Sequence, residues 1–541
     1  MSATNVAEKL VQTLKEMGVR HVFGVPSGGW VDYMEAMRKV DGIDFILATH
    51  EGGASFMADV TARLTGVPGV CFGTFGPGAT NLTTGVGGAL LDRSPMIAFS
   101  DEMPTAMRGR VTQMGIDHQA LFAPVTKKTT RLEADRVTEI LHDAALVALD
   151  GRPGPVHVGL PVGMSAEPAG DGKPVSWAPS RPAKADKEAL ARMTALFKSS
   201  AKPVVAVGLG AVQAGVQAEV IALIEKFNVP VVLTPMAKGM VPETHPSYAG
   251  ILFHALSDVV GQTHQQADLV VAIGYDPVEF NLEGWIPDVP VVNIDIVPVD
   301  LDTSKYTLGA DVTGDIAASV DFLIEQGGSA KAWDLTDVAE RKAEIFRRMS
   351  PQSDVFGPTA ALDVLRDELP EDGIMTCDVG AHTHLIGQKW PTPKPGLQIM
   401  TNGWSAMGFG IPAAIAAKLA RPNTEVCAVL GDGGFLMTVG ELAVAVRENL
   451  KIVFVVLTDN DLALIRIKQQ KKQNPIYGTP IRAKGNIGGD NLFGVPVKTA
   501  VSAEEFRAHL KDAFAGDGPV IVEALVSSHE YDSLVLHKDK P

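Results

Sequence analysis

The chain is poor in cysteine: Cys71, Cys377 and Cys427 are the only three in 541 residues. Widely spaced, and set in or beside apolar runs, they suit neither a disulfide framework nor a metal cluster. They read as small buried hydrophobes of a cytoplasmic protein. Long apolar runs are missing too, with no stretch of about eighteen residues able to span a membrane. Met1 to Asn5 leads straight into an amphipathic stretch, so no charged-then-apolar leader is expected. Basic residues are outnumbered, 47 Lys and Arg against 63 Asp and Glu, and the formal charge of −16 argues against nucleic acid as a partner. Glycine and proline, at 54 and 35, supply the turns a repeated βα architecture needs. With 46% hydrophobic and 20% charged residues the composition is globular. The length exceeds what one core supports.

Strand-like apolar runs alternate with helical patterns, which points to an α/β fold with parallel sheets. A first block, 1–165, holds "HVFGVP", "FILATH", "GVCFGTF", "MIAFSD" and "VHVGLP" as strands. Ser165 to Asp186, rich in Pro, Ala and Gly, reads as a linker. A second block, 187–326, holds "PVVAVGLG", "PVVLTP", "LVVAIGYD" and "VVNIDI". A polar, helix-prone connection from Gly327 to about Pro351 precedes a third, 354–530, with "GIMTCDVG", "EVCAVLGDGG", "KIVFVVLTDND" and "PVIVEALV". Three such blocks imply three doubly wound parallel-sheet domains, without a strict sequence repeat. "VGLGAVQAG", from Val207, is a glycine-rich turn after a strand. It lacks the full dinucleotide spacing and an acidic residue about twenty positions on, and a tight strand-to-helix turn explains it as well.

The most informative segments are "VLGDGGFLMT", Val429 to Thr438, and "VFVVLTDND", Val453 to Asp461. Each apolar run ends in acidic residues, and Asp432 and Asp459 stand 27 positions apart. That gap fits one right-handed βαβ crossover, so the two carboxylates share one sheet edge. Gly433 and Gly434 leave the backbone bare at a helix start, where free N–H groups attract phosphate. Two carboxylates beside a phosphate cradle suit Mg²⁺. Gly-Asp-Gly alone is common in turns, and an Asp after a strand is often only a helix cap. A further carboxylate, Glu51, opens a helix after a strand in "FILATHEGGASFMADVTAR"; a Glu there also complements the helix dipole.

These motifs resemble the thiamine diphosphate enzymes, in which Gly-Asp-Gly is followed after such a gap by Asn or Asp. "THEGGASFMAD" resembles the His-Glu-x-Gly-Ala-x-x-Met-Ala stretch of their acetolactate synthase branch. The resemblance covers nearly the whole chain and makes the blocks pyrimidine-binding, central and diphosphate-binding domains. It implies thiamine diphosphate and Mg²⁺, with Asp432, Asp459 and Asp461 at the metal. Glu51 becomes the carboxylate that shares a proton with the aminopyrimidine, and burial would hold it partly protonated near neutrality. "GVPSGG" matches the turn over the pyrimidine, with Pro26 at the cofactor and Ser27 facing the reaction centre. "GTFGPGATN" contributes Thr74 and Asn81. "TQMGIDHQALFAPVTK" resembles the substrate-side loop, with Gln113 as the active-site Gln, and "GYDPVEFNLEGW" resembles the branch's middle domain. "TCDVGAHTH" brings Gly380, Ala381 and His382 to the diphosphate. In "NGWSAMGFGIPAAIA", Met407 is the wedge between the cofactor rings and the Ser405 carbonyl accepts from the exocyclic amine. The family also implies a homodimer or dimer of dimers in which Glu51 of one chain and Asp432 of the other act on one cofactor. FAD is compatible with the resemblance but not favoured, since catabolic relatives lack it.

Three positions depart from the pattern. Thr458 stands where Asn is usual, Lys468 where biosynthetic relatives carry a gating Trp, and the stretch Gly485 to Val497 is short and glycine-rich. A cation at Lys468 would suit an anionic substrate side chain such as a sulfonate or phosphonate; a solvated helix lysine explains it equally. The expected reaction is decarboxylation of a 2-oxo acid followed by carboligation to a second carbonyl compound. The alternative is a simple decarboxylase, for which His118 or His254 would supply the proton, and a third is an inactive regulatory paralog.

Overall fold

A computed structural model describes residues 4–253, 255–279, 288–350, 355–482 and 486–534. Three sheets are built from valine- and isoleucine-rich strands, the signature of parallel strands covered on both faces. The first comprises β1 (His21–Gly24), β2 (Asp44–Leu47), β3 (Gly69–Gly73), β4 (Met96–Glu102), β5 (Lys128–Arg131) and β6 (Pro155–Pro161), in spatial order 2-1-3-4-6-5. The second runs 12-11-10-7-8-9 through β7 (Pro203–Val207), β8 (Val231–Leu233), β9 (Tyr248–Ile251), β10 (Leu269–Ile273), β11 (Val291–Asp295) and β12 (Leu308–Thr313). The third is ordered 14-13-15-16-19-18-17. It comprises β13 (Ile374–Cys377), β14 (Gln398–Met400), β15 (Val426–Gly431), β16 (Val453–Thr458), β17 (Asn491–Leu492), β18 (Val495–Ala500) and β19 (Val520–Leu525). All pairings are parallel except the β17–β18 hairpin. The doubly wound α/β fold expected from the sequence is what the chain adopts.

In each sheet the order turns back between two central strands, and there the loops leave in opposite directions to open a crevice beyond the C-terminal strand ends. In the first sheet the reversal lies between β1 and β3, in the second between β7 and β10, and in the third between β13 and β15. The residues after these strands are therefore Val25 to Ser27 and Thr74 to Gly76, Gly208 and Gly274, and Asp378 to Gly380 and Asp432.

The stretch read as a linker is partly docked. Val6 and Ala7 donate to the Glu167 and Ser165 carbonyls, both at 3.0 Å, and Val137 donates to Gly170 at 3.0 Å. Leu335–Arg348 forms a helix in the polar connection. All three cysteines are free and buried. Among the described residues no helix is long and apolar enough to cross a membrane.

The first and third sheets are bolted together within one chain. The Glu51–Thr65 helix packs on the Gly410–Ala420 helix, with Phe56 edge-on to Phe409 at 5.6 Å. Beside them Arg63 bridges Asp59 at 2.6 Å and Asp92 at 2.9 Å, and donates to the Met400 carbonyl at 2.7 Å. Asp92 in turn accepts from the backbone N–H of Asn402 at 3.1 Å and Gly403 at 2.7 Å. This buried network fixes the loop that carries Ser405 and Met407.

Candidate active site

The first sheet's crevice gathers Ser27, Glu51, Thr74 and Asn81. Glu51 is buried as the first residue of its helix, and Asn81 donates to its carboxylate at 2.9 Å. Ser27 donates to Asp101 at 2.5 Å and Thr74 donates to the same oxygen at 3.3 Å. Asp101 is the next-to-last residue of the buried strand β4, and burial pushes its carboxyl up to about 6 against the pull of those two donors. Pro26 is exposed at the rim and so is Gln113, whose loop lies over Gly76 through Met114.

The segment before Glu51 is held from the third sheet. Glu441 accepts from the backbone N–H of Thr49 at 3.1 Å and of His50 at 3.0 Å. Burial raises the Glu441 carboxyl, and these bonds oppose the shift.

The third sheet's crevice contains a cavity of about 140 Å³ lined by Gly380, Ala381, His382, Met407, Asp432, Gly433, Gly434, Asp459 and Asp461. Gly431 on β15 pairs with Leu457 on β16, so Asp432 and Asp459 leave neighbouring strands side by side. Asp432 accepts from the Asn460 N–H at 2.8 Å. Burial pushes Asp432 up to about 6. For Asp459 burial, with the Asp432 charge adding to it, gives about 7. Two such carboxylates repel unless a cation joins them. One Asp461 oxygen meets Arg466 at 3.0 Å and the other is buried without a hydrogen-bond partner. Arg482 reaches to 3.7 Å of Asp432. His382 Nε2 is also buried and unpartnered, and burial lowers that ring to about 4, leaving it neutral. A side chain at Gly434 would run into the Asp378 carboxylate at 2.8 Å, so only glycine admits the backbone so close.

This donor set fits a divalent cation carrying a diphosphate: hard oxygens for the metal, bare N–H groups and an imidazole nitrogen for the phosphates. Among the described residues no group of three or more His, Cys, Asp or Glu side chains is arranged to hold a metal alone. Ser405 is exposed with a left-handed φ of 52°, while the Met407 methyl group lies 3.2 Å from where a Gly433 Cβ would sit. None of the first-sheet residues lines this cavity.

The second sheet's crevice is filled from within. Glu279 accepts from the Leu209 N–H at 2.9 Å through one oxygen and from the Met236 N–H at 3.1 Å through the other. Burial pushes this carboxyl up to about 7. Glu279 thus occupies the Leu209 N–H of the "VGLG" turn, one of the donors a cofactor phosphate would need there. The rest of "GYDPVEFNLEGW" from Phe280, together with His254 and Gly485, lies outside the described residues.

Asp101, Glu441, Glu279 and Arg482 were not singled out from the sequence. Asp101 shows the same sign as Asp432, an acid at or near the end of a buried strand, and could have been found; the others carry no local signal. His118, read as a candidate proton donor, is 3% exposed with both ring nitrogens bonded. Lys468 is exposed on the Ala463–Lys471 helix.

Comparison with known proteins agrees with the two crevices. Residues 4–121 match the thiamine pyrophosphate enzyme N-terminal TPP binding domain, 190–323 the central domain and 378–524 the C-terminal TPP binding domain. The acetolactate synthase isozyme 3 large subunit of Escherichia coli is 31% identical, covering 86% of this chain and 84% of its own. The acetolactate synthase large subunit of Lactococcus lactis is 31% identical over 98% and 93%. The acetolactate synthase of Bacillus subtilis is 28% identical over 99% and 95%.

Proposed function

Because the chain belongs to the thiamine pyrophosphate (thiamine diphosphate) enzymes, in their acetolactate-synthase-like branch, we propose that it decarboxylates a 2-oxo acid and ligates the remaining fragment to a second carbonyl compound. The observation that carries this reading is the pairing of Asp432 with Asp459 at one strand edge, complemented by a buried Glu51 at the other crevice. Bound thiamine diphosphate supplies a carbon nucleophile and an electron sink that accepts the pair left by CO₂. Asp432 and Asp459 would hold Mg²⁺ together with diphosphate oxygens, with Asp461, expected from the resemblance as a third ligand, standing beside them paired to Arg466. Gly380, Ala381, His382, Gly433 and Gly434 would hold the diphosphate. Glu51 shares a proton with the pyrimidine, kept in register by Asn81. Met407 and the Ser405 carbonyl shape the cofactor, with Pro26 and Thr74 beside it. Ser27 and Gln113 face the substrate.

Two chains complete each site in this reading. No first-sheet residue lines the diphosphate half, and Trp404, Leu436 and Met437, on the segments that carry Met407 and Asp432, are exposed at 41%, 47% and 61%. Apolar side chains grouped this way mark a covered surface. The same Glu279 contacts support an enzyme that works without flavin. Purified protein is expected to show no flavin absorption in the visible, and added FAD should leave its melting temperature unchanged.

A second reading has one observation in its favour. Asp101, poised at about 6 and bonded to Ser27, can release a proton near neutrality. It would let the reaction end in protonation, as in a non-ligating decarboxylase. A panel of 2-oxo acids, including ones with sulfonate or phosphonate side chains, separates these outcomes. With pyruvate, acetolactate is expected as the main product. Acetaldehyde alone would establish the second reading, and turnover only of the anionic acids would place Lys468 or Arg482 at the substrate.

A further inference from the structure

A line of polar side chains sealed inside the first sheet takes no part in the chemistry above. His118, Ser100 and His157 are buried, on the His118–Phe122 helix, β4 and β6. At one end the Gly76 N–H donates to His118 Nε2 at 3.2 Å. A backbone N–H only donates, so Nε2 is bare and the ring proton sits on Nδ1. Nδ1 faces Ser100 Oγ at 3.0 Å, and Ser100 therefore gives its own proton to His157 Nε2 at 2.8 Å. The His157 proton is then on Nδ1, directed to Thr129 at 2.8 Å. Thr129 donates to the Gln119 side-chain oxygen at 2.8 Å, and the Gln119 amide donates to Glu102 at 2.5 Å and to the Thr130 carbonyl at 2.9 Å. Arg131 holds the other Glu102 oxygen at 2.6 Å. A donor-only group at one end and an ion-paired carboxylate at the other impose the same direction on every bond between them.

The Gly76 end matters for geometry. Gly76 has a left-handed φ of 57° and caps the Pro77–Leu91 helix, two residues after Thr74. A Cβ there would press on the Met114 carbonyl at 3.1 Å, so this residue is clamped between His118 beneath and the Gln113 loop above. The peptide is trans, so the Phe75 carbonyl points away from the histidine. We propose that His118, as the neutral Nδ1-protonated tautomer, is a positioning residue that sets the Phe75–Gly76 peptide and thereby the Thr74 turn and the Gln113 loop. This rests on the catalytic reading of the Glu51 half-site. Protonating the ring would set N–H against N–H across the Gly76 contact. The groups acting on it are the Asp101 backbone carbonyl on β4, Asp117 at the cap of its own helix, Arg131 on β5 and His157 on β6. Burial dominates these and lowers His118, with His157 lowered further, so both rings stay neutral.

Two variants separate the two ends of the ring. In His118→Gln the side-chain oxygen replaces Nε2 and still accepts from Gly76. In His118→Asn the amide replaces Nδ1–H and reaches only Ser100. With pyruvate and the holoenzyme, His118→Gln should hold kcat within about threefold, while His118→Asn should lower kcat about tenfold or more with KM little changed. Hydrogen exchange of the 74–80 backbone should accelerate in His118→Asn alone. Equal behaviour of the two variants, or loss only in His118→Gln, overturns the proposal. Should either fail to fold, ¹⁵N-histidine spectra of the wild-type holoenzyme read the tautomers directly, and an Nε2-protonated His118 overturns it too. A wild-type protein that turns over no 2-oxo acid refutes the catalytic reading instead, and leaves the exchange and tautomer results standing.

Discussion

Replacing Glu51 by Gln is expected to leave thiamine diphosphate bound but to slow exchange of the cofactor's reactive ring proton by at least about a hundredfold. The reason is directional. Asn81 donates its amide to one Glu51 oxygen at 2.9 Å, so a glutamine must turn its own oxygen toward Asn81 to satisfy that bond. Its NH₂ group then faces the pyrimidine, where a group able to share a proton is required. The amide cannot accept and return that proton. Deuterium exchange followed by NMR on the loaded protein measures this step before any substrate is added. Cofactor affinity, set largely by the third-sheet crevice, should change little. Exchange at the wild-type rate would remove Glu51 from its assigned role.

The metal half-site yields the second large effect. Asp432 and Asp459 are raised to about 6 and about 7, chiefly by burial. A carboxyl whose folded-state value is raised binds its proton more tightly when folded. Its contribution to stability is therefore present below the unfolded value of about 4 and is lost as pH rises through the folded value. The metal-free protein should melt at progressively lower temperature between about pH 5 and about pH 8 through this pair. Mg²⁺ with thiamine diphosphate should reverse the trend, because metal competes with protons for the same oxygens. The stabilisation by ligand should be greatest at the alkaline end and should weaken as pH falls through 7 and 6. Asp459→Asn should flatten both curves and lower metal affinity by at least about a hundredfold. Melting curves with and without Mg²⁺ across this range, on wild type and variant, test both signs. A ligand effect independent of pH would mean that the metal does not sit on these two carboxylates.

Much of the architecture could be read from the amino acids because central parallel strands are apolar on both faces. "VCAVLG" and "VFVVLT" have no other good explanation. The strands that escaped are edge or near-edge ones. β5 reads Lys-Thr-Thr-Arg and β14 reads Gln-Ile-Met, with side chains that are partly solvated or bonded to neighbours. The site was legible where chemistry falls at a strand end. Asp432, Asp459 and Glu51 become candidates in this way, and Asp101, next to last on β4, obeys the same grammar. Glu441 and Glu279 were not legible, since their partners are backbone N–H groups far along the chain, and a single Glu between apolar neighbours carries no mark of which distant amides it will meet. His118 misled for a related reason: a histidine near a crevice looks like an acid until both its nitrogens are accounted for.

Glu441 lies nine residues beyond Asp432, on the same short helical passage, and grips the two amides immediately ahead of Glu51. In a dimer with shared sites, the Asp432 and the Glu51 of one polypeptide serve different cofactor molecules. The segment from Asp432 to Glu441 then connects the metal half of one pocket to the amides ahead of the proton-sharing acid of the other. Crosstalk between the paired pockets would need no rotation of subunits, only a shift of that segment.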